Sequence, residues 1–68
     1  MIKVNSTNLS AVGYDSETKI FTIEFNDGGL YEYYDVPQNI YNELMSAPSK
    51  GKFFHRFIRD TYRTVKIR

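Results

Sequence analysis

The apolar positions change period along the chain, and each change marks an element. Residues 8–14 (Asn-Leu-Ser-Ala-Val-Gly-Tyr) read as a first strand. Residues 19–25 alternate strictly, with Phe21, Ile23 and Phe25 on one face and Ile20, Thr22 and Glu24 on the other. Such a period of two, carried by aromatic and β-branched residues, predicts a half-buried strand. Residues 30–34 (Leu-Tyr-Glu-Tyr-Tyr) predict a third. The connections, Asp15-Ser16-Glu17-Thr18 and Asn26-Asp27-Gly28-Gly29, are polar, of hairpin length, and rich in residues that tolerate positive φ. Links this short make neighbouring strands antiparallel, which gives a meander.

From Val36-Pro37 onward the period becomes helical. Ile40, Tyr41, Leu44 and Met45 recur at the spacing of one helix face. Pro37 suits the first helical position, where a missing N–H costs nothing. Pro48 ends that helix, and Ser49 is a good N-cap for a second, expected to run to about Tyr62. The apolar residues of the second helix are Phe53, Phe54, Phe57, Ile58 and Tyr62. The tail from Thr64 to Arg68 alternates, and is expected either to add a short edge strand or to fray. A sheet with one apolar face must be covered. The expected fold is therefore α+β: a three-stranded antiparallel meander followed by two helices packed on one face, with a C-terminal edge strand as an option. The expected core is Phe21, Ile23, Phe25, Tyr31, Tyr33, Val36, Ile40, Leu44, Phe54, Phe57 and Ile58.

Length limits what this core can do. Sixty-eight residues make one domain, 1–68, and a chain of this size buries only about 60% of its unfolded surface. There is no cysteine to staple it or to bind zinc; six Tyr and five Phe supply large buried areas instead. No stretch approaches the roughly 20 apolar residues of a membrane span, and the first residues lack a secretory pattern. The expectation is a cytoplasmic protein with no membrane partner.

Charge is distributed unevenly. In residues 1–48, Lys3 and Lys19 face seven carboxylates, a balance of −5. In residues 49–68, seven cations face only Asp60, a balance of +6. At about 100° per residue, Lys52, Arg56, Arg59 and Arg63 fall within an arc of about 60° on the second helix, opposite its apolar residues. A charged face toward water is ordinary, but water-facing surfaces usually mix signs. Like charges a turn apart repel by a few tenths of a kcal/mol per pair. Such a stripe is better tolerated if an anion neutralises it, and phosphate is the leading choice.

Other candidate chemistry is thinner. Ser49-Lys50-Gly51-Lys52 opens the second helix, where free N–H groups attract anions and Gly51 would permit close approach; the alternative is that Gly51 lets the two helices pack tightly. The spacing of a nucleotide-hydrolase phosphate loop is absent. In Tyr31-Glu32-Tyr33-Tyr34, the first and third residues are expected in the core. Glu24 and Glu32 then make the outer sheet face acidic, with Tyr34 its one aromatic contact residue. His55 is the only histidine, with no second ligand or orienting acid at matching spacing, so it is expected to flank the basic stripe. No catalytic group, metal or cofactor is expected.

The combination of Asn8-Leu9-Ser10-Ala11-Val12-Gly13-Tyr14-Asp15, Tyr31-Glu32-Tyr33, Asp35-Val36-Pro37 and the helical block from Ser49 to Arg59 resembles the KTSC domain family over roughly residues 5–63. That family is named for a copy at the C-terminus of some lysyl-tRNA synthetases. It also includes free-standing small bacterial and phage proteins, and RNA binding has been proposed for it. The resemblance implies the fold first and RNA as a partner second. The leading reading is a small non-catalytic module that binds RNA phosphates through Lys50, Lys52, His55, Arg56, Arg59 and Arg63. The second reading is a protein-interaction module docking an acidic protein partner.

Overall fold

The computed structural model describes residues 1–68. The chain forms β1 (Ile2–Lys3), β2 (Leu9–Asp15), β3 (Ile20–Phe25), β4 (Leu30–Tyr33), α1 (Gln38–Ser46), α2 (Lys50–Phe57) and β5 (Thr64–Lys66). The expected meander is present as β2-β3-β4. A strand is added at either edge, giving a five-stranded sheet in the order β1-β2-β3-β4-β5, every pair antiparallel. The alternating tail thus becomes an edge strand, with Tyr33 opposite Thr64 and Tyr31 opposite Lys66.

The turns form for the reasons their residues suggest. Asp15 Oδ1 accepts from the main-chain N–H of Glu17 at 2.9 Å and of Thr18 at 3.3 Å. Asp27 Oδ1 does the same for Gly29 at 2.9 Å, and Gly28 takes φ of +93°. Such local carboxylate bonds replace the backbone pairing that a tight turn forgoes.

The register carries an extra residue in β2. Leu9 opposes Phe25 and Val12 opposes Ile23, so three steps on β2 match two on β3, with the irregularity between Leu9 and Ala11. This β-bulge turns Leu9 and Val12 toward the same face. Leu9, Ala11 and Val12 are all buried, none of them among the expected core residues.

Both helices cover the face that carries Phe21, Ile23 and Tyr33. The Phe54 ring meets Tyr33 edge-on, centroids 5.4 Å apart, and Phe25 at 5.6 Å. Tyr41 of α1 lies flat on Tyr14 at 4.8 Å. Phe21, Leu9, Ile23, Leu44, Ile58, Val12 and Val36 are fully buried, each stabilising the fold by roughly 1.5–3 kcal/mol.

Two expectations about α2 are corrected. The helix stops at Phe57, not near Tyr62. The N–H groups of Ile58 and Arg59 both return to the Phe54 carbonyl at 3.0 Å, and those of Thr61 and Tyr62 to Ile58. This tightened end reverses the chain so that Thr64 can pair with Tyr33. Phe57, expected in the core, is 44% exposed. Phe54 and Ile58 occupy the inward line of α2, and Phe57 lies beside it against Phe53, with ring centroids 4.8 Å apart.

Candidate nucleic-acid interface

Ser49 caps α2 by accepting from the Lys52 N–H at 3.3 Å. The helix then projects Lys52, His55 and Arg56 into solvent. These three line a shallow groove of about 510 Å³ with Thr7, Asn8, Ser49 and Gly51. No carboxylate and no apolar side chain belongs to it. Gly51 lines this groove, but it does not serve helix–helix packing. A Cβ there would stand 2.6 Å from Asn8 Oδ1 and 3.4 Å from Ser6 Oγ, so the glycine admits the segment joining β1 to β2.

Arg59 reaches back along the helix end. Its Nη1 donates to His55 Nδ1 at 3.1 Å. Arginine can only donate, so in this contact the ring nitrogen is the acceptor. Arg59 also meets Asp60 at 3.5 Å in an exposed ion pair, of the kind worth at most about 1 kcal/mol.

The remaining expected site residues fall elsewhere. Lys50 is drawn toward the end of α1, its Nζ 3.4 Å from the Ala47 carbonyl. Because α2 ends early, Arg63 does not join the stripe. Its guanidinium lies over the Tyr34 ring, 5.0 Å from the centroid. The Tyr34 hydroxyl in turn donates to Glu32 at 2.8 Å, and that bond is the largest cause of its raised pKa. Tyr34 is thus engaged within the fold. Lys52, His55, Arg56 and Arg59 remain as one contiguous surface, and Lys52 and Arg56 have no carboxylate partner.

A second groove has no counterpart in the sequence reading. It lies between β4, β5 and the end of α2, with a volume of about 670 Å³. Phe25, Tyr31, Tyr33 and Phe54 line it on the aromatic side, and Arg59, Lys66 and Arg68 on the basic side. Lys66 Nζ stands 5.9 Å from the centre of the Tyr31 ring. Arg68 is tied to Glu24 at 2.5 Å and to the Gly28 carbonyl at 3.3 Å. The signal that could have found this groove is the pairing of the tail with Tyr31 and Tyr33, which brings Lys66 beside aromatic residues distant in sequence.

No group of three or more His, Cys, Asp or Glu side chains is placed to hold a metal ion, and no helix is long and apolar enough to cross a membrane.

Fold and surface together define a small α+β module with a cationic side. The chain belongs to the KTSC domain family, whose model matches residues 5–62. It is 38% identical over 67 residues to a lysine–tRNA ligase of a Nostoc species, a match covering 98% of this chain and 12% of that protein. A protein of Tsukamurella paurometabola is 33% identical over 67 residues, covering 98% of this chain and 100% of that one. The crystal structure of a KTSC domain protein from Yersinia pestis superposes with a TM-score of 0.94 at 35% identity, covering 97% of this chain and 93% of that one. The chain therefore spans about an eighth of the ligase's length and nearly all of the two small proteins.

Proposed function

We propose that the domain binds RNA by its phosphates along the exposed side of α2, through Lys52, Arg56 and Arg59, with His55 between them and Lys50 and Arg63 as peripheral charges. The observation that carries this reading is the polar groove beside Lys52 and Arg56, which has cations on its wall and no carboxylate to neutralise them. An exposed surface of that kind attracts polyanions, and phosphate contacts bind without reading sequence. The similarity to lysine–tRNA ligases, proteins whose name gives tRNA as a substrate, supports RNA over other polyanions.

The test is fluorescence anisotropy of labelled single-stranded RNA and labelled tRNA across a salt series. Three phosphate contacts on a single strand give a log–log slope of about −2. Lys52→Glu/Arg56→Glu should abolish binding while circular dichroism stays unchanged. No binding at low salt by the unaltered chain would end this reading.

Phe57, 44% exposed and with the Arg56 guanidinium 5.4 Å from its ring centre, favours a second reading, an acidic protein partner docked on the same side. That reading expects a specific protein to be retained on the immobilised domain after nuclease treatment, and to be lost with Phe57→Ser.

A further inference from the structure

The groove between β4, β5 and the end of α2 combines features that the α2 surface lacks. Its floor is aromatic. Tyr33 and Phe54 are buried beneath, while Phe25 and Tyr31 are only partly covered and meet edge to face at 5.6 Å. That perpendicular contact occupies the edge of one ring and the face of the other, and leaves aromatic surface open to the groove. Its wall is cationic. Arg59 and Arg68 already have carboxylate partners in the fold, but Lys66 has none. Lys66 is exposed at the sheet edge, over Tyr31. At the turn end stands Asp27, the one carboxylate among the lining residues. Its Oδ1 is committed to the Gly29 N–H.

From these features we infer that the groove takes one unstacked nucleobase of a single-stranded RNA, laid on Tyr31 and Phe25, with an adjoining phosphate held by Lys66 and Arg59. The volume, about 670 Å³, lies within the roughly 300–1,000 Å³ of small-molecule sites. Charge sets the orientation. Asp27 repels phosphate and presents an acceptor to the N–H groups of a base edge, while Lys66 and Arg59 attract phosphate at the other end. Stacking on an aromatic ring suits any base, because every base has a π face. A base paired within a duplex cannot reach the floor without leaving its stack, so the groove selects unpaired RNA. Arg59 lines this groove and bonds His55, which lines the polar groove on α2. One strand can therefore run from one to the other. The inference rests on the RNA reading above for the nature of its ligand.

The experiment is an NMR titration of the uniformly labelled chain with a single-stranded RNA octamer and, separately, a blunt RNA duplex. The octamer should shift the amides of Gly28, Gly29, Tyr31 and Lys66 in the groove, together with those of Gly51, Lys52 and His55 on α2. The duplex should shift the α2 set alone. Shifts on α2 only with the octamer, or equal groove shifts with the duplex, would overturn the inference and leave the α2 reading standing. Shifts in the groove alone would do the reverse, and no shifts with either RNA would remove both. Tyr31→Leu should weaken the octamer roughly tenfold and the duplex by less than about twofold. Lys66→Ala, on the exposed edge, should weaken the octamer selectively even if the Tyr31 variant fails to fold. Equal loss on both RNAs would count against the groove.

Discussion

The hydroxyl of Tyr14, on β2, donates to the main-chain carbonyl of Val36 at 2.5 Å, across 22 positions of sequence. The same side chain stacks on Tyr41 with an angle of 12° between the ring planes. One strand residue thus anchors both the entry to α1 and the helix itself. Tyr14→Phe keeps the stack and deprives the Val36 carbonyl of this donor. It should lower stability by about 1–2 kcal/mol, read as a shift in the urea midpoint with an unchanged slope. An unchanged midpoint would mean that the bond contributes nothing net.

Alkaline conditions should weaken the fold through its tyrosines. Burial raises the pKa of Tyr14 above the ordinary 10.0, helped by the Asp15 charge. Burial also raises that of Tyr33, with the Thr64 hydrogen bond opposing it in part. A neutral acid with a raised folded-state pKa stabilises the fold fully below the ordinary value, and that stabilisation is lost as pH rises through the folded-state value. The urea midpoint should stay level, as far as these groups set it, through neutral pH and fall above pH 10.0. Tyr14→Phe should make that fall shallower. A midpoint indifferent to pH there would contradict the burial of Tyr33 and the partial covering of Tyr14.

Phe54 and Phe57 share a helix but should respond very differently. Phe54 is 3% exposed and meets two aromatic rings. Phe54→Ala should cost about 3–5 kcal/mol, a large fraction of what a domain this small possesses. Phe57→Ala should cost about 1 kcal/mol or less. Thermal melts followed by circular dichroism compare the two directly.

Gly51 sets helix propensity against space. Replacing glycine by alanine in a helix gains up to about 1 kcal/mol, but the new methyl meets Asn8 Oδ1 at 2.6 Å. That amide also accepts from Ser6 Oγ at 3.1 Å, so pushing it aside gives up a hydrogen bond. Gly51→Ala alone should change stability little. Made in an Asn8→Ala background, it should stabilise by up to about 1 kcal/mol. A double-mutant cycle with no coupling would show that the loop yields freely.

Local signals carried much of the fold. The alternation of Phe21, Ile23 and Phe25, the helical spacing of Ile40 and Leu44, and the cap at Ser49 each express themselves within a few residues. β1 has two residues, too few to show a period. The bulge put Leu9 and Val12 three apart on one face, which strict alternation cannot reveal. No glycine or proline stands between Ile58 and Arg63, so nothing local announced the end of α2; the pairing of Thr64 with Tyr33 decides it. The same long-range choice explains the site. Lys52, His55, Arg56 and Arg59 are close in sequence and stay together. Lys50 and Arg63 turn away toward partners on other elements. Tyr31 and Lys66 become neighbours only when the sheet closes.

That closing step has a kinetic meaning. Every other sheet contact joins segments separated by a short connection, but residues 34–63, both helices included, lie between paired Tyr33 and Thr64. Bringing distant segments together carries the larger loop entropy, so β5 is expected to dock after the hairpins and helices have formed. Its three residues are all exposed, which leaves it, like the other edge strand β1, ready to peel away. Lys66 rides on this strand and Arg68 just beyond it. Two of the three cations of the groove's basic wall, Lys66 and Arg68, are thus mounted on the last piece to assemble and on an edge that opens readily, and amide exchange there should far outpace exchange in β3.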